Sequence, residues 1–563
     1  MATDPHTPPT SRSGGPRWWL WAVVAICWYA TAAVRPLMEP DEGRYAEIPR
    51  EMWISGDWVT PRLSGLKYFE KPPLQYWATA AAYSLFGANE LTSRLFALTT
   101  AFLCLPLVYF FTLRLYASTT IATTAVLLLA SNPVFVVIGQ INLLDSAFAL
   151  FLTAALFALS LLSESQRGSA PERKWALAMW VALALAVLTK GVAAVVLCGL
   201  TLSAYSIICR DLEPWRRLHW RWGLPLFTLI AMPWFVAVAM RNPEFLKFFF
   251  IHEHFSRFLT TTHARTGPWW YFVPLLCLAI LPWAASITAA LRDTIHPVAK
   301  NSTRTQRLLW TWCAVVTVFF SVSQSKLAPY ILPIMPALAV AMASRVAVDA
   351  RRYRKAAYAL FALTLVGAVA IHYEPARRGV AILGASLWPA IVAVLLATLV
   401  VVCARRRRAE QQRERNDFGF AAVGLLTLSL LLLGYSQAID TRSAKLLATS
   451  VRSNIGPATQ IFSVGQYRQT LAPYLGRTPH VVNYQGELAF GQAQEASPAA
   501  FSLEHFLQQW PLHSNAVAIV DRRLYDNLGP ARLPGLLLAF DGESVVLRPY
   551  RKSAARPAER TGR

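Results

Sequence analysis

Charge is what this chain has least of. Aspartate, glutamate, lysine and arginine make up only 15% of the residues against 55% hydrophobic ones, with a mean hydropathy of +0.37. A soluble globular domain carries about 25% charged residues, so lipid is the solvent for most of this chain. Cysteine is missing from the polar segments. All 7 (Cys27, Cys104, Cys198, Cys209, Cys277, Cys313, Cys403) lie within apolar stretches or at their ends, which excludes a disulfide framework and a thiolate metal cluster in the loops. There is no H-E-x-x-H zinc signature, no nucleic-acid recognition motif and none of the internal duplication typical of transporters. A cleavable signal peptide is also missing: the first apolar run begins after Arg17, is long and lacks a clean small-residue cleavage site, so an uncleaved anchor is expected.

What is present is a series of apolar runs near twenty residues, each long enough to cross a hydrocarbon core of about 30 Å as a helix. They fall at 17–36, 93–113, 118–138, 142–161, 174–189, 192–209, 221–240, 268–288, 307–323, 327–347, 355–372, 380–404 and 418–435. The expected fold class is a polytopic α-helical membrane protein with about 13 transmembrane helices, spanning residues 1–438. Basic clusters at Arg216, Arg217 and Arg221, at Arg292, Lys300, Arg304 and Arg307, at Arg351, Arg352, Arg354 and Lys355, and at Arg405 to Arg408 mark cytoplasmic loops. They also account for much of the +23 net charge, which therefore points to membrane lipids and not to nucleic acid. With the N-terminus inside, parity puts the segment 37–72, the turn at 139–141, Lys190, the loop 241–267 and everything after 440 on the opposite face. It also requires that one of three apolar segments between 73 and 139 does not span. The short one at 73–88, led by Pro72 and Pro73 and carrying Gln75, Tyr76, Trp77 and Tyr83, is expected to be re-entrant or interfacial.

From 439 to 563 the apolar runs shorten to strand length. Strands at 460–464, 480–482, 516–520 and 544–547, with helices at 469–475 and 502–510, predict a small α/β domain. The last dozen residues, rich in Lys, Arg, Ala and Pro, are expected to be disordered.

Chemistry concentrates in the segment Glu39–Pro73, which packs charges of both signs beside Tyr45, Trp53, Trp58 and Tyr68. Asp41 and Glu42, followed by Arg44, Tyr45 and Glu47, offer carboxylates that orient a sugar or stabilise a cationic anomeric carbon. Tyr68-Phe69-Glu70-Lys71-Pro72-Pro73 sets a lysine on a proline-stiffened helix start, a fixed cation for a phosphate. Asp145, Lys190 and the run His252-Glu253-His254-Phe255-Ser256-Arg257 reach the same face, where ionisable residues at membrane depth are functional suspects. His252 and Glu70 form a candidate pair of ligands for a divalent metal such as zinc, although adjacent histidines are not a zinc signature.

The motifs RYAE (Arg44–Glu47), SGDW (Ser55–Trp58), FEKPP (Phe69–Pro73), LTKG (Leu188–Gly191) and SKLAPYILPIMPAL (Ser325–Leu338) resemble the lipid-to-lipid glycosyltransferases of the GT-C class. Within it the chain is similar to the bacterial aminoarabinose:lipid A transferases of glycosyltransferase family 83. The resemblance covers most of the chain. It implies a GT-C fold with a periplasmic C-terminal domain, in a multi-pass inner-membrane protein whose active site is periplasmic. The implied reaction is inverting transfer of 4-amino-4-deoxy-L-arabinose from undecaprenyl phosphate to a lipid A phosphate, with resistance to polymyxin as its consequence. Tyr68, Lys71, Lys190 and Arg257 match positions expected to hold the carrier phosphate, Asp41 and Asp145 the carboxylates of the reacting centre, and Glu42, Arg44, Tyr45, Lys326 and Tyr330 the sugar and acceptor pocket. A monomer is expected. The alternatives are a polyprenyl-dependent protein O-glycosyltransferase of the same fold and a lipid flippase.

Overall fold

The computed structural model describes residues 18–550 apart from 257–265, 296–299, 350–351, 378–387, 407–412, 439–441 and 496–501. Each expected apolar run carries a helix. The chain starts with α1 (Trp18–Tyr29), α2 (Asp41–Ser55), a two-residue hairpin β1 (Arg62–Leu63) and β2 (Leu66–Lys67), α3 (Leu74–Phe86), α4 (Glu90–Tyr116), α5 (Thr119–Ala130), α6 (Pro133–Gly139), α7 (Leu144–Glu164), α8 (Ala170–Lys190) and α9 (Ala193–Cys209). Further helices follow at Trp220–Arg241, Phe272–Ile280, Ala284–Ile295, Lys300–Val322, Ile334–Val348, Arg352–Arg377, Trp388–Arg406 and Arg413–Ala438. Among the described residues 6 helices are long and apolar enough to cross a membrane unaided, and α5 with α6 makes a seventh that bends by 64°. Four shorter apolar helices, α1 and α9 among them, join these in the bundle.

The bend has a local cause. Ser131 and Asn132 interrupt the run, Pro133 cannot donate to the preceding turn, and the Asn132 side chain caps α6 by accepting from Phe135 N–H.

The segment expected as a loop is mostly helical. Asp41 and Glu42 occupy the first turn of α2, where the helix dipole favours negative charge, and Gly56 ends the helix in the left-handed region at φ 70°. The hairpin turns through Ser64 and Gly65, both at positive φ, as a tight two-residue turn requires.

Parity is resolved by α3. Its 13 residues reach about 20 Å, short of a hydrocarbon core. Both of its ends stay at the end of the bundle that carries α2: Gln75 bonds Asn142 just before α7, while Tyr83 bonds Ser93 near the start of α4 and the Ala46 carbonyl of α2. Glu90, at the first residue of α4, pairs with Lys445 of the C-terminal domain at 2.6 Å. So α4 leaves from that end, the bent pair α5–α6 returns to it, and α3 does not cross.

Beyond Ala438 lies a five-stranded sheet in the order β4-β3-β5-β7-β6, built from β3 (Gln460–Val464), β4 (His480–Val482), β5 (Ala516–Asp521), β6 (Leu536–Phe540) and β7 (Ser544–Arg548). β3 is parallel to β4 and β5, and β7 runs antiparallel to β5 and β6. The predicted strands are present; β6 and the helix Arg522–Arg532 had not been expected. The last dozen residues, expected to be disordered, lie outside the described ones.

This domain sits directly on α2 and the hairpin. Glu39 accepts from Arg468 at 2.8 Å and from Thr470 at 2.7 Å, Arg50 reaches Thr478 at 2.8 Å, and the Lys67 N–H donates to Glu495 at 2.7 Å. The approach is close enough to demand glycine. A Cβ on Gly43 would lie 2.5 Å from the backbone of Gln469, and one on Gly491 would lie 2.8 Å from the Lys67 carbonyl.

Candidate active site at the end of the bundle

The acidic pair that opens α2 divides into two unlike residues. Glu42 turns inward and is 1% exposed. It accepts from Arg94 Nε at 2.7 Å, Arg94 Nη2 at 2.8 Å, the Met38 N–H at 2.9 Å and the Asn142 N–H at 3.0 Å. Burial works against its charge, but the guanidiniums of Arg94 and Arg35 outweigh burial and hold its carboxyl down at about 2. With both oxygens engaged, Glu42 ties α2 to α4 and to the turn before α7 and has no acceptor left for a substrate. Its expected place in the sugar pocket is corrected to a structural one. Arg94, its partner, escaped the sequence reading; the signal was there, an arginine inside an apolar run.

Asp41 stays open, with about a third of its side chain exposed (36%), and forms a short ion pair with Arg44. Arg44 is the hub of the site. It is 5% exposed, donates to the Tyr68 hydroxyl at 3.1 Å, lies 4.0 Å from Glu70, and leaves Nε with no hydrogen-bond partner among the described residues. Tyr45 stands beside it, its ring 6.2 Å from that of Tyr76 on α3. Burial raises the Tyr45 hydroxyl above its usual range, the Arg44 charge opposes this, and the carboxylates of Asp41, Glu70 and Asp145 push it further. Those groups, drawn from three separate segments, therefore surround one side chain.

Lys71 meets Glu253 at 3.3 Å, bridging the start of α3 to the π-helical turn Lys247–Ser256, and Glu253 is almost wholly buried. The residues leading into this turn are held against the first segment by Lys67–Glu244 at 2.7 Å and by Asn242 donating to Thr60 at 3.0 Å. Lys190, at the last residue of α8, donates to Asp145 at 2.5 Å, with its ammonium 4.5 Å from the centre of the Tyr330 ring. Lys326 is buried, its ammonium donating to the Ser323 carbonyl at 2.6 Å. Asp41, Arg44, Tyr45, Tyr68, Glu70, Lys71, Asp145, Lys190 and Tyr330 are thus brought to one end of the bundle, and Arg257 lies outside the described residues.

Of the candidate metal ligands, Glu70 faces Arg44, while His252 stacks on Phe248 at 5.0 Å and lies 3.7 Å from Glu253. No three His, Cys, Asp or Glu side chains form a metal-holding group among the described residues, so no step is assigned to a metal.

Cations and donors beside open carboxylates, at the water-facing end of an apolar bundle, suit a reaction in which a phosphate leaves and positive charge develops on a sugar. Two family models divide the chain: a dolichyl-phosphate-mannose-protein mannosyltransferase model over residues 18–249 and an aminoarabinose transferase C-terminal domain over 447–549. An undecaprenyl phosphate-alpha-4-amino-4-deoxy-L-arabinose arabinosyl transferase of Edwardsiella ictaluri is 33% identical over 58% of this chain and 59% of its own length, and one of Serratia proteamaculans 29% identical over 84% and 87%. This chain thus spans less than two thirds of the length of the first of these relatives. The crystal structure of ArnT from Cupriavidus metallidurans bound to undecaprenyl phosphate superposes with a TM-score of 0.82 at 30% identity, covering 94% of this chain and 97% of that one.

The chain belongs to this arabinosyl transferase family. It is a multi-pass membrane glycosyltransferase with the GT-C fold that the first-segment motifs implied, carrying the aminoarabinose-transferase type of C-terminal domain.

Proposed function

We propose that this transferase moves 4-amino-4-deoxy-L-arabinose from undecaprenyl phosphate to a phosphate of lipid A. The site faces the periplasm, the N-terminus is cytoplasmic, the protein acts as a monomer, and the modification confers resistance to polymyxin and cationic antimicrobial peptides. The observation that carries this reading is the docking of an aminoarabinose-transferase domain onto the segment that presents Asp41, Arg44 and Lys71.

The chemistry follows from charge. The leaving group is a polyprenyl phosphate, so fixed donors aimed at its oxygens lower the barrier most. Lys71, Tyr68 and Lys190 take that role together with Arg257. An acceptor phosphate is already ionised near neutral pH and needs no strong base. Asp41, open and held by Arg44, positions the amino sugar and stabilises the oxocarbenium-like centre, with Asp145 as the second carboxylate. The acceptor oxygen attacks from the face opposite the departing phosphate, inverting the anomeric carbon.

The mannosyltransferase model over residues 18–249 favours a second reading, transfer to a protein hydroxyl. There Asp41 would serve as the base. Mass spectrometry of lipid A separates the two, using a polymyxin-sensitive Gram-negative strain that lacks its own aminoarabinose transferase and makes the donor. Added aminoarabinose on lipid A when this chain is expressed supports the first reading; unmodified lipid A despite verified expression and donor supply rules against it.

A further inference from the structure

The charged residues of the site account for a phosphate and for a developing cation, but not for the sugar's neutral hydroxyls. A second group of polar side chains lies beside them with nothing yet to do. Gln75, on the first turn of α3, is fully buried and donates from Nε2 to Asn142 Oδ1 at 2.8 Å. Asn142, equally buried, precedes Asp145 by three positions, and its N–H is the donor to Glu42.

After that one bond, Gln75 Oε1 and Asn142 Nδ2 have no hydrogen-bond partner among the described residues. The point does not depend on how either amide is turned. If both are flipped, Asn142 donates to Gln75, and a free donor on Gln75 stands beside a free acceptor on Asn142. One donor and one acceptor are left over either way. The Tyr76 hydroxyl, Thr79 Oγ1 one turn further along α3, and Ser146 Oγ one turn further along α7 are also buried and without partners among the described residues. Native interiors leave few such atoms, and here five lie on α3 and on the stretch Asn142–Ser146, which the Gln75–Asn142 bond joins.

Their position is specific. Gln75 follows Lys71 by four positions, Asn142 leads into Asp145, and the Tyr76 ring lies against Tyr45. Burial raises the Tyr76 hydroxyl above its usual range, with Glu70 and Glu253 adding to the rise and Arg44 opposing it, so the same charged groups surround it. The patch thus runs between the phosphate-facing lysine and the second carboxylate.

The ligand class follows from what these atoms match. A phosphate offers acceptors alone and would meet the amide oxygen unfavourably, and a prenyl or acyl chain satisfies none of them. A sugar hydroxyl both donates and accepts. Two neighbouring hydroxyls on a pyranose ring present the donor–acceptor pair that the joined amides complete.

We infer that the Gln75–Asn142 pair is a specificity-determining contact that reads two adjacent sugar hydroxyls, with Tyr76 beside it. This rests on the transferase reading above and assigns the sugar subsite within it. Sites built to hydrogen-bond a hydroxyl reject analogues that lack it far more strongly than apolar pockets reject an extra group.

The test uses the full-length protein in proteoliposomes, comparing undecaprenyl-phosphate aminoarabinose with its 2-deoxy and 3-deoxy analogues. Wild-type kcat/KM is expected to favour the native donor over at least one analogue by about 100-fold or more. In Gln75→Met and Asn142→Leu that preference should fall below about tenfold, through loss of activity on the native donor, with binding of unglycosylated undecaprenyl phosphate unchanged. Gln75→Glu, which keeps shape and acceptors, should retain part of the preference and shows that the position tolerates change. Undiminished discrimination in Gln75→Met and Asn142→Leu would overturn the inference alone. So would a parallel loss of undecaprenyl phosphate binding, the mark of a merely structural role. Absence of wild-type turnover on the native donor would instead overturn the transferase reading and this one with it.

Discussion

Lys71 and Glu42 lie within 30 residues of each other and should respond to mutation in opposite ways. Lys71 is partly exposed and its counter-ion Glu253 comes from another segment, so replacing it removes a donor from the reaction without unfolding a helix. Lys71→Ala is expected to lower kcat/KM for transfer by about 10²–10³-fold per folded molecule, the usual cost of one preorganised donor to a developing anion, beyond the loss of stability that comes from leaving the buried Glu253 without this partner. Asp41→Asn should also lose activity; full activity in that variant beside an inactive Lys71→Ala would remove Asp41 from the reacting centre. Glu42→Gln behaves differently, because it strips the counter-charge from Arg94 and Arg35 inside the protein. Breaking a buried pair costs about 3–5 kcal/mol, to be seen as a lower unfolding temperature in detergent, with transfer lost only in proportion to folded protein.

At the scale of elements, the junction between α2, the hairpin and the C-terminal domain should respond to both bulk and pH. Gly43→Ala pushes a methyl into the backbone at Gln469, so the domain must lift. Limited proteolysis between Ala438 and Lys445 should quicken in this variant, while Gly419→Ala, which meets nothing within 4 Å, should cleave at the wild-type rate. Glu51 stands at the same junction, accepting from the Gly65 N–H at 3.0 Å. Burial first, and then the charge of Glu47, push its carboxyl up to about 8 from an ordinary 4.5. Because the folded value is the higher one, its contribution is fully present below 4.5 and is lost as pH rises through 8. The unfolding temperature should therefore drop between about pH 5 and 8 in the wild type and drop less in Glu51→Gln; equal slopes would show that Glu51 does not govern the junction. Some of this was legible in the sequence. Apolar run length located the helices, and short apolar runs set among polar, turn-rich pieces located β3, β4, β5 and β7. β6, Leu536–Phe540, is a run of the same kind that the sequence reading left out; it is an edge strand with Leu536, Leu537 and Phe540 more than half exposed. Charge density located the site, but not which of two adjacent carboxylates faces inward. That is decided by Arg94, 52 positions away, and no local pattern carries such a distance.

For the whole molecule, the arrangement depends on an odd helix. If α3 crossed the bilayer, α4 would begin on the far side, and Glu90 and Arg94 would be carried away from Lys445 and Glu42, the partners they meet in this structure. Arg94, buried in α4, would lose its carboxylate. Keeping α3 at the membrane surface costs it little, since Leu85 and Phe86 remain exposed to lie among lipid while Tyr76, Ala80 and Tyr83 pack inward. The consequence is a strict order of sides. In a cysteine-free background, Ala88→Cys should react with a membrane-impermeant maleimide in intact spheroplasts, as Thr449→Cys in the C-terminal domain should. Ser118→Cys, at the turn between α4 and α5, should react only after permeabilisation. Labelling of Ala88→Cys only after permeabilisation, alongside ready labelling of Thr449→Cys, would mean that α3 spans. The ion pair between Glu90 and Lys445 would then be impossible, and Asp145 and Lys190 could not share a site with Asp41 and Lys71.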